Sequence, residues 1–257
     1  MKDSIIRKAA FKKIAYPFIA LIFWVGVWEI LSLIIGSDFL LPSPLHVGVR
    51  AVKLFADGEF YLSALGSLLR VISGYALGIL IGIAFALIMR ASRLGEAILS
   101  PFLTVIKSTP VASFILVVWV FTPENVLPGI IGALIVIPIT AQNVSTGIAN
   151  IDQKSLEVAT VYGFNKKQRI LHCYIPSVYP YFSSAATVSL GMAWKAGVAA
   201  EVLAYVKSSL GRAIYLSKSN LDTELLFAYT TVIIVLSLII EWGVRMIFER
   251  VDMRFGK

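Results

Sequence analysis

Six segments of about twenty predominantly apolar residues restrict what this chain can fold into. They span roughly residues 14–35, 71–89, 98–121, 126–144, 180–200 and 226–247. An α-helix of that length crosses the hydrocarbon layer of a bilayer. Only 15% of the residues are charged, whereas a soluble domain carries roughly a quarter. The sequence therefore predicts an all-α membrane protein, with six transmembrane helices in a single domain over residues 1–257.

The charged residues between these segments predict the side of the membrane on which each loop lies. Fifteen lysines and arginines lie in the termini and in the second–third and fourth–fifth loops, against six in the other loops. Because cytoplasmic loops carry the excess of positive charge, we predict that both termini and the fourth–fifth loop are cytoplasmic. The fifteen are Lys2, Arg7, Lys8, Lys12, Lys13, Arg90, Arg93, Lys154, Lys166, Lys167, Arg169, Arg245, Arg250, Arg254 and Lys257.

Residues 43–69 form the long external connection, and the apolar residues in its first half predict a short amphipathic helix at the outer surface.

The second span carries Gly74, Gly78 and Gly82 at intervals of four, a spacing that lets another helix approach closely. Packing within one subunit and a subunit interface both explain this face, and the first is favoured.

The fourth–fifth loop, residues 150–177, is polar and partly basic although apolar segments flank it. Asp152 can cap a short helix, and Gly163 can end that helix as a C-cap glycine. A second short helix is predicted from Lys166 to Tyr174, and Pro176 is expected to stop it. A cytoplasmic loop of this shape is suited to receive a mechanical push from a soluble partner.

Ionisable residues inside the spans are the candidates for a translocation pathway. Lys107 and Pro110 interrupt the third span, which indicates either a broken helix that lines a pathway or a kink with Lys107 snorkelling to the cytoplasmic surface. Lys195 follows Trp194 deep in the fifth span. An intramembrane lysine marks a pathway, yet a structural pair with Glu201 or Glu29 is an open alternative.

Several chemistries have no matching residue pattern in the sequence. There is no Gly-x-x-x-x-Gly-Lys-Ser/Thr phosphate loop, so a nucleotide that drives transport must bind another polypeptide. His46 and His172 lie far apart and Cys173 is the single cysteine, which predicts neither a metal site nor an intrachain disulfide. We predict no catalytic residues and no cofactor on this chain. The basic residues lie at segment ends rather than on one stripe, which argues against nucleic-acid binding.

The sequence resembles the permease subunits of binding-protein-dependent ABC importers over nearly its whole length, and several short stretches carry the resemblance. The fourth–fifth loop is similar to their "EAA" loop through Glu157, Ala159, Gly163 and Pro176. Val158 departs from that pattern, since a small residue is usual there, and Lys195 stands where an apolar residue is expected. The other similar stretches are Leu41-Pro-Ser-Pro44, Ser67-Leu-Leu-Arg70 with Gly74, Pro110-Val-Ala112, Leu190-Gly-Met-Ala-Trp194 with Ala200-Glu201, and Leu210-Gly211.

The resemblance implies a type I ABC-importer permease fold of the branch associated with nitrate, sulfonate and taurine uptake. It implies a second permease copy, two ATPase subunits that bind ATP, and an extracytoplasmic solute-binding protein, at a bacterial plasma membrane. The EAA-like residues would couple the spans to the ATPase, and Lys107, Pro110, Trp194, Lys195 and Glu201 are the pathway candidates. An ATP-independent secondary transporter or channel is the alternative, although matching halves are not visible.

Overall fold

The computed structural model describes the backbone of residues 2–255 and the side chains of residues 15–251. The basic side chains of the amino-terminal tail, and those of Arg254 and Lys257, lie outside this range. The described chain is helical almost throughout. Its α-helices are α1 (Lys2–Ile35), α2 (Pro44–Leu54), α3 (Gly58–Ala91), α4 (Arg93–Ser108), α5 (Val111–Phe121), α6 (Leu127–Ala149), α7 (Gln153–Val161), α8 (Lys166–Arg169), α9 (Ile175–Leu203), α10 (Leu210–Ser219) and α11 (Thr223–Phe255).

Four described helices are long and apolar enough to cross a membrane, and α4 with α5 make a fifth if that bent pair is one span. The four are α1, α3, α6 and α11. The predicted segment 180–200 lies within α9, which has 29 residues and is therefore long enough. However, serines, threonines and Lys195 make α9 less apolar than the others. Helix α3 begins at Gly58, whereas the second span was predicted to begin near residue 71. The helix therefore includes the second half of segment 43–69, which was predicted to be part of the external connection.

The chain divides into two compact units, and residues 1–58 with 213–232 form the first. Helix α2 begins at Pro44, where the Ser43 hydroxyl accepts a hydrogen bond from the backbone N–H of His46 at 3.3 Å. The segment before it is tied to α1, since Trp28 Nε1 donates to Pro42 O at 3.1 Å and Ser32 Oγ donates to Leu41 O at 2.9 Å. These bonds fix the Leu41–Pro44 connection.

The second unit comprises residues 59–212 and 233–257, and its core lies where α6 and α9 pack along their lengths. Small residues make that contact close: Ala196, Ala200 and Ala204 are buried against Leu127 and Ile131. A second cluster joins α4 to α6 through Leu103, Ile137 and Ala141. Helix α4 carries the pathway candidate Lys107, and α9 carries Trp194, Lys195 and Glu201.

The glycine face of α3 packs within the subunit. A methyl group placed on Gly78 would lie 2.7 Å from Val136 Cβ, and one on Gly82 would lie 2.7 Å from Thr140 Cβ. A methyl group on Gly74 would collide with the backbone of Gly129. Gly129, Val136 and Thr140 all belong to α6. The glycines therefore let the backbone of α3 approach α6 closely. The interpretation as packing inside one subunit is confirmed.

Candidate functional site

Helix α7, in the fourth–fifth loop, begins and ends where the sequence predicts. The Asp152 carboxylate accepts hydrogen bonds from Lys154 N and Ser155 Oγ, both at 3.1 Å, which satisfies a free donor of the first turn. Gly163 has a φ of +67°, a left-handed conformation that glycine adopts without strain. Phe164 N donates to Ala159 O at 2.9 Å and closes the end of the helix.

The side chains of α7 divide into an anchored residue and an exposed apolar patch. Ala159 is only 1% exposed, whereas Val161 is 85% and Tyr162 76% exposed. Val158 is about half exposed, and Glu157 beside it is also exposed. Neighbouring exposed apolar side chains on one turn are a candidate contact surface. We call Val158, Val161 and Tyr162 the α7 patch.

The prediction that Pro176 stops a helix is wrong. Asn165 and Gln168 form a capping box, with both hydrogen bonds at 2.9 Å, and the chain then stays helical from α8 through a π-helical turn, Ile170–Tyr174, into α9. Pro176 lies in the first turn of α9. A proline ring clashes with the carbonyl four residues earlier in a regular helix. The wider π turn directly before Pro176 relieves this clash, so the helix continues.

The third predicted span is broken rather than kinked. Helix α4 ends at Ser108, α5 begins at Val111, and the two are bent by 110°. Thr109 between them is extended, with φ −78° and ψ 129°, as expected for the residue before a proline. Proline inside a continuous helix does not by itself reverse direction so far. The geometry therefore favours the broken-helix interpretation, with Lys107 in the last turn of α4.

Lys107 lines a polar cavity of about 370 Å³ between α4, α6 and the end of α3. Its ammonium donates to the side-chain oxygen of Gln142 on α6. Arg90 and Asn150 lie at the end where α3 and α6 finish, and Lys107 lies at the other end of the lining. The full lining comprises Met89, Arg90, Glu96, Ser100, Leu103, Thr104, Lys107, Pro138, Gln142, Ser145, Thr146, Ala149 and Asn150.

The fifth-span candidates occupy different environments. Trp194 is buried and its indole Nε1 donates to Ile233 O at 3.2 Å, so it packs α9 against α11. Lys195, the next residue, is exposed. Glu201 is 0% exposed and its partners are residues other than Lys195. The prediction of a Lys195–Glu201 pair is therefore wrong, because their spacing along the chain puts the two side chains on different faces of α9.

Glu201 instead organises a buried cluster at the end of α9. Ser67 Oγ donates to Glu201 Oε2 at 2.7 Å, Gly211 N donates to the same oxygen at 3.3 Å, and Arg70 Nη1 lies 3.4 Å from Oε1. Ser67 Oγ also accepts from Leu210 N at 3.0 Å. A buried carboxylate is stable only when its lone pairs are occupied in this way. We call Glu201, Ser67, Arg70, Leu210 and Gly211 the Glu201 cluster.

The Glu201 cluster also holds a strained connection. Tyr205 and Ser208 have positive φ values of 54° and 47°, which cost energy in residues other than glycine. The Arg70 guanidinium donates to Ser208 O at 3.2 Å and Lys207 O at 3.1 Å. The Arg212 guanidinium lies 4.5 Å from the centre of the Tyr205 ring. These contacts offset the strain, so the segment between α9 and α10 has a defined conformation.

One group in the first unit has the spacing of a metal site. Ligand atoms of Asp38, His46 and Glu224 all lie within 4.8 Å of one another. His46 Nδ1 lies 3.4 Å from Asp38 and 3.8 Å from Glu224, while Arg50 binds Asp222 at 2.7 Å and lies 3.8 Å from Glu224. The Arg50 guanidinium thus contacts the Asp222 and Glu224 carboxylates, and His46 contacts Asp38 and Glu224. We interpret these side chains as an exposed ion-pair network that ties α2 to the start of α11.

Comparison with known proteins identifies the family. The model of a family described as "Binding-protein-dependent transport system inner membrane component" matches residues 78–253, more than half of the chain. The chain belongs to this family. It is therefore a permease subunit of an ABC importer, a membrane component that does not itself hydrolyse ATP, and the alternative of an ATP-independent transporter is set aside.

Relatives and solved structures agree with this family. The permease is 33% identical over 196 residues to the nitrate import permease protein NrtB of Synechococcus elongatus, covering 70% of this chain and 68% of NrtB. It is 23% identical over 237 residues to the taurine transport system permease protein TauC of Escherichia coli, covering 90% and 86%. A bacterial ABC transporter involved in the import of the acidic polysaccharide alginate has a similar fold, with a TM-score of 0.64 at 16% identity, covering 95% and 99%.

The sequence identified some residues of the permease and missed others. It singled out Lys107, Lys195 and Glu201 but gave no partner for Lys107, which is Gln142. The stretches around Ser67, Leu210 and Glu201 were each noted separately for their resemblance to the family. Their meeting in one cluster was not predicted, because 134 residues separate Ser67 from Glu201 and helical periodicity relates only near neighbours. Polar residues at helical spacing along α4 are the signal that could have revealed the cavity.

Proposed function

We propose that this permease forms the pathway through which an ATP-driven importer moves a small polar or anionic solute across a bacterial plasma membrane. The solute is of the nitrate, sulfonate, taurine or vitamin-precursor class and arrives on an extracytoplasmic binding protein. Two ATPase subunits and a second copy of this chain complete the transporter. Both chain termini and α7 lie on the cytoplasmic side, in the orientation that the positive-inside rule favours.

The α7 patch is the observation that carries the coupling role. Val161 and Tyr162 are the most exposed apolar side chains of the fourth–fifth loop, which suits insertion into a cleft of the ATPase. Ala159 is buried, and α7 contacts the π turn at Ile170–Tyr174. Because this turn continues into α9, displacement of α7 would be passed to α9 through that contact. Glu157, Ala159, Gly163 and Pro176 therefore serve coupling.

The substrate class rests on the relatives and on two lysines. Nitrate and taurine are small, and both carry an anionic group. Lys107 faces the polar cavity, and Lys195 is an exposed cation on α9, between buried Trp194 and Ala196. Since a lysine in contact with lipid is costly, both are better placed in an aqueous pathway. Trp194 and Glu201 are buried, so the pathway proposal rests on Lys107, Pro110 and Lys195.

A co-purification experiment tests the coupling role. Val161→Ser with Tyr162→Ala should weaken recovery of the ATPase with the tagged permease and reduce uptake in proportion, because the apolar contact is lost. Val126→Ser is the matched control, since Val126 is an exposed apolar residue outside the loop. Wild-type recovery of the ATPase by the double variant would contradict the proposal. Identification of the ligand held by the partner binding protein would name the solute.

A further inference from the structure

The polar cavity is built from two facing rows of side chains. On α4, Glu96, Ser100, Thr104 and Lys107 recur at helical spacing and all line the cavity, so they lie on one face of that helix. On α6, the row is Gln142, Ser145, Thr146, Ala149 and Asn150. Leu103 and Ile137 form part of the apolar cluster beside it. The cavity therefore has a formed wall, rather than being a chance gap between helices.

The lining favours an anion. Two cations, Arg90 and Lys107, line the cavity, against one carboxylate, Glu96. The ion pairs among the described side chains do not include Lys107, and its partner Gln142 is neutral. The Ser100 and Ser145 hydroxyls and the Gln142 amide nitrogen supply neutral donors. The Thr104 and Thr146 hydroxyls donate instead to carbonyls of their own helices. An ammonium in a site of reduced dielectric attracts an anion more strongly than it would in water.

The dimensions suit a small hydrated ion. Lys107 lies eleven positions after Glu96 on α4, which corresponds to about 16 Å along the helix. That is roughly half the thickness of the hydrocarbon layer. The volume of about 370 Å³ is ample, since one water molecule needs only about 15 Å³ of comparable free space. The cavity thus extends from a helix-end mouth to Lys107, close to the break between α4 and α5.

We propose that this cavity is a binding site for a small oxyanion, such as nitrate, sulfate or a sulfonate group, within each permease subunit and open to the cytoplasm. Lys107 is the deep charge and Arg90 lies at the mouth. The Ser100 and Ser145 hydroxyls and the Gln142 amide nitrogen, which line the same cavity, donate hydrogen bonds to the oxygens. This inference rests on the proposed function for the side to which the cavity opens. An anion at this site would be the imported ion before its release into the cytoplasm, or the same ion rebinding from the cytoplasm.

The single cysteine allows a direct test of the charge in the cavity. In a Cys173→Ala background, Thr104→Cys places one thiol on the wall and leaves Lys107 and Arg90 intact. The complete transporter in nanodiscs is treated with methanethiosulfonates that carry either a sulfonate or a trimethylammonium group. The sulfonate reagent should react about tenfold faster, relative to the cationic one, than at the control Ser219→Cys, an exposed position on α10, because a cationic cleft concentrates anions.

Two further arms assign the effect to the site. Adding Lys107→Gln to Thr104→Cys should remove most of the preference, and sulfate should slow the sulfonate reagent at residue 104 but not at residue 219. Equal reagent ratios at the two positions, or a preference that survives Lys107→Gln, would overturn the inference. Ser100→Cys on the same row replaces Thr104→Cys if that variant does not assemble.

A change of lipid distinguishes a free oxyanion from a lipid phosphate in the cavity. Nanodiscs of phosphatidylcholine alone are compared with nanodiscs that contain phosphatidylglycerol. Slower modification only with the anionic lipid would mean that a lipid phosphate occupies the cavity, which would overturn the free-oxyanion site. ATP hydrolysis is measured on the same nanodiscs, and uptake is measured on the same transporter reconstituted in proteoliposomes. A transporter that is active but shows no preference for the sulfonate reagent at residue 104 would refute this inference alone. A permease that binds no ATPase would refute the proposed function.

Discussion

The Glu201 cluster and the Lys107 cavity of the second unit hold their charges in opposite ways. At the Glu201 cluster, a carboxylate excluded from solvent contacts Ser67 Oγ, Gly211 N and the Arg70 guanidinium, so its lone pairs are occupied. At the cavity, Lys107 is exposed and its side-chain partner is the neutral amide of Gln142. One charge is enclosed and paired, and the other faces open space.

This difference separates structure from transport. A buried charge with all its partners holds elements together, and removing one member leaves the others unsatisfied. A charge in a polar cavity adds little to stability but can attract a ligand. Substitutions in the Glu201 cluster should therefore lower stability, whereas substitutions at the cavity and at α7 should lower transport. Four predictions test this contrast, in order of decreasing effect on stability.

Glu201→Ala should cause the largest loss of stability. It leaves Arg70 and the Gly211 N–H without their buried partner, and breaking such a pair costs about 3–5 kcal/mol. Thermal unfolding of the purified permease in detergent measures the loss. Lys195→Ala, an exposed position on the same helix, should change the free energy of unfolding by less than about 0.5 kcal/mol. Equal melting temperatures for the two variants would remove the contrast.

Ser67→Ala should have a smaller effect of the same kind. Its hydroxyl donates to Glu201 and accepts from Leu210 N, and each stranded partner contributes to a total cost of about 1–3 kcal/mol. Ser73→Ala is the matched control, because Ser73 Oγ is exposed and donates only to Arg70 O in its own helix. The same thermal measurement applies. A Ser67→Ala protein as stable as the Ser73→Ala protein would show that the cluster does not hold α3.

Gly163→Val should abolish uptake at a modest cost in stability. A β-branched residue at φ +67° is strained by about 1–2 kcal/mol, and relief of that strain would displace α7. Solute uptake and the amount of permease in the membrane are measured together. Gly163→Asn should keep most of the uptake, since asparagine tolerates the left-handed region. Full uptake by Gly163→Val would count against the coupling role.

Lys107→Gln should change stability least, by under about 0.5 kcal/mol, as for an exposed position. Uptake should nevertheless fall about tenfold, because the cation that raises the local concentration of the solute is lost. Lys218→Gln controls for the loss of one positive charge, since Lys218 is exposed on α10. A large fall in melting temperature for Lys107→Gln would place this lysine with Glu201 as a structural charge.

Local rules predicted local structure well. The Asp152 cap and the Gly163 end of α7 follow from the residue types alone, because each hydrogen bond joins residues within a few positions. The spacing of Gly74, Gly78 and Gly82 likewise predicted a helix-packing face. Pro176 misled the prediction, because the rule that proline ends a helix assumes regular helical hydrogen bonding upstream. A π turn changes that geometry, and its position was not evident from the residues around it.

Contacts between distant segments could not be derived in this way. Glu201 and Lys195 are close in sequence, yet the partners of Glu201 come from α3 and from the start of α10. Likewise, Lys107 could be identified as an interruption of an apolar segment, but the cavity exists only because α6 faces α4. Helical period indicates which side chains share a face, whereas tertiary structure determines what that face meets.

The glycines of α3 constrain how this permease can change shape. Gly74 lies against the backbone of Gly129, and Gly78 lies against Ala133 and the Val136 side chain, so this part of the contact leaves little room for sliding. Helices joined so tightly behave as one rigid body, since a shear motion needs side chains that adjust. Alternation between outward- and inward-open forms must then be accommodated elsewhere. The elbow at Thr109 and Pro110, which lacks helical hydrogen bonding across it, is the natural hinge.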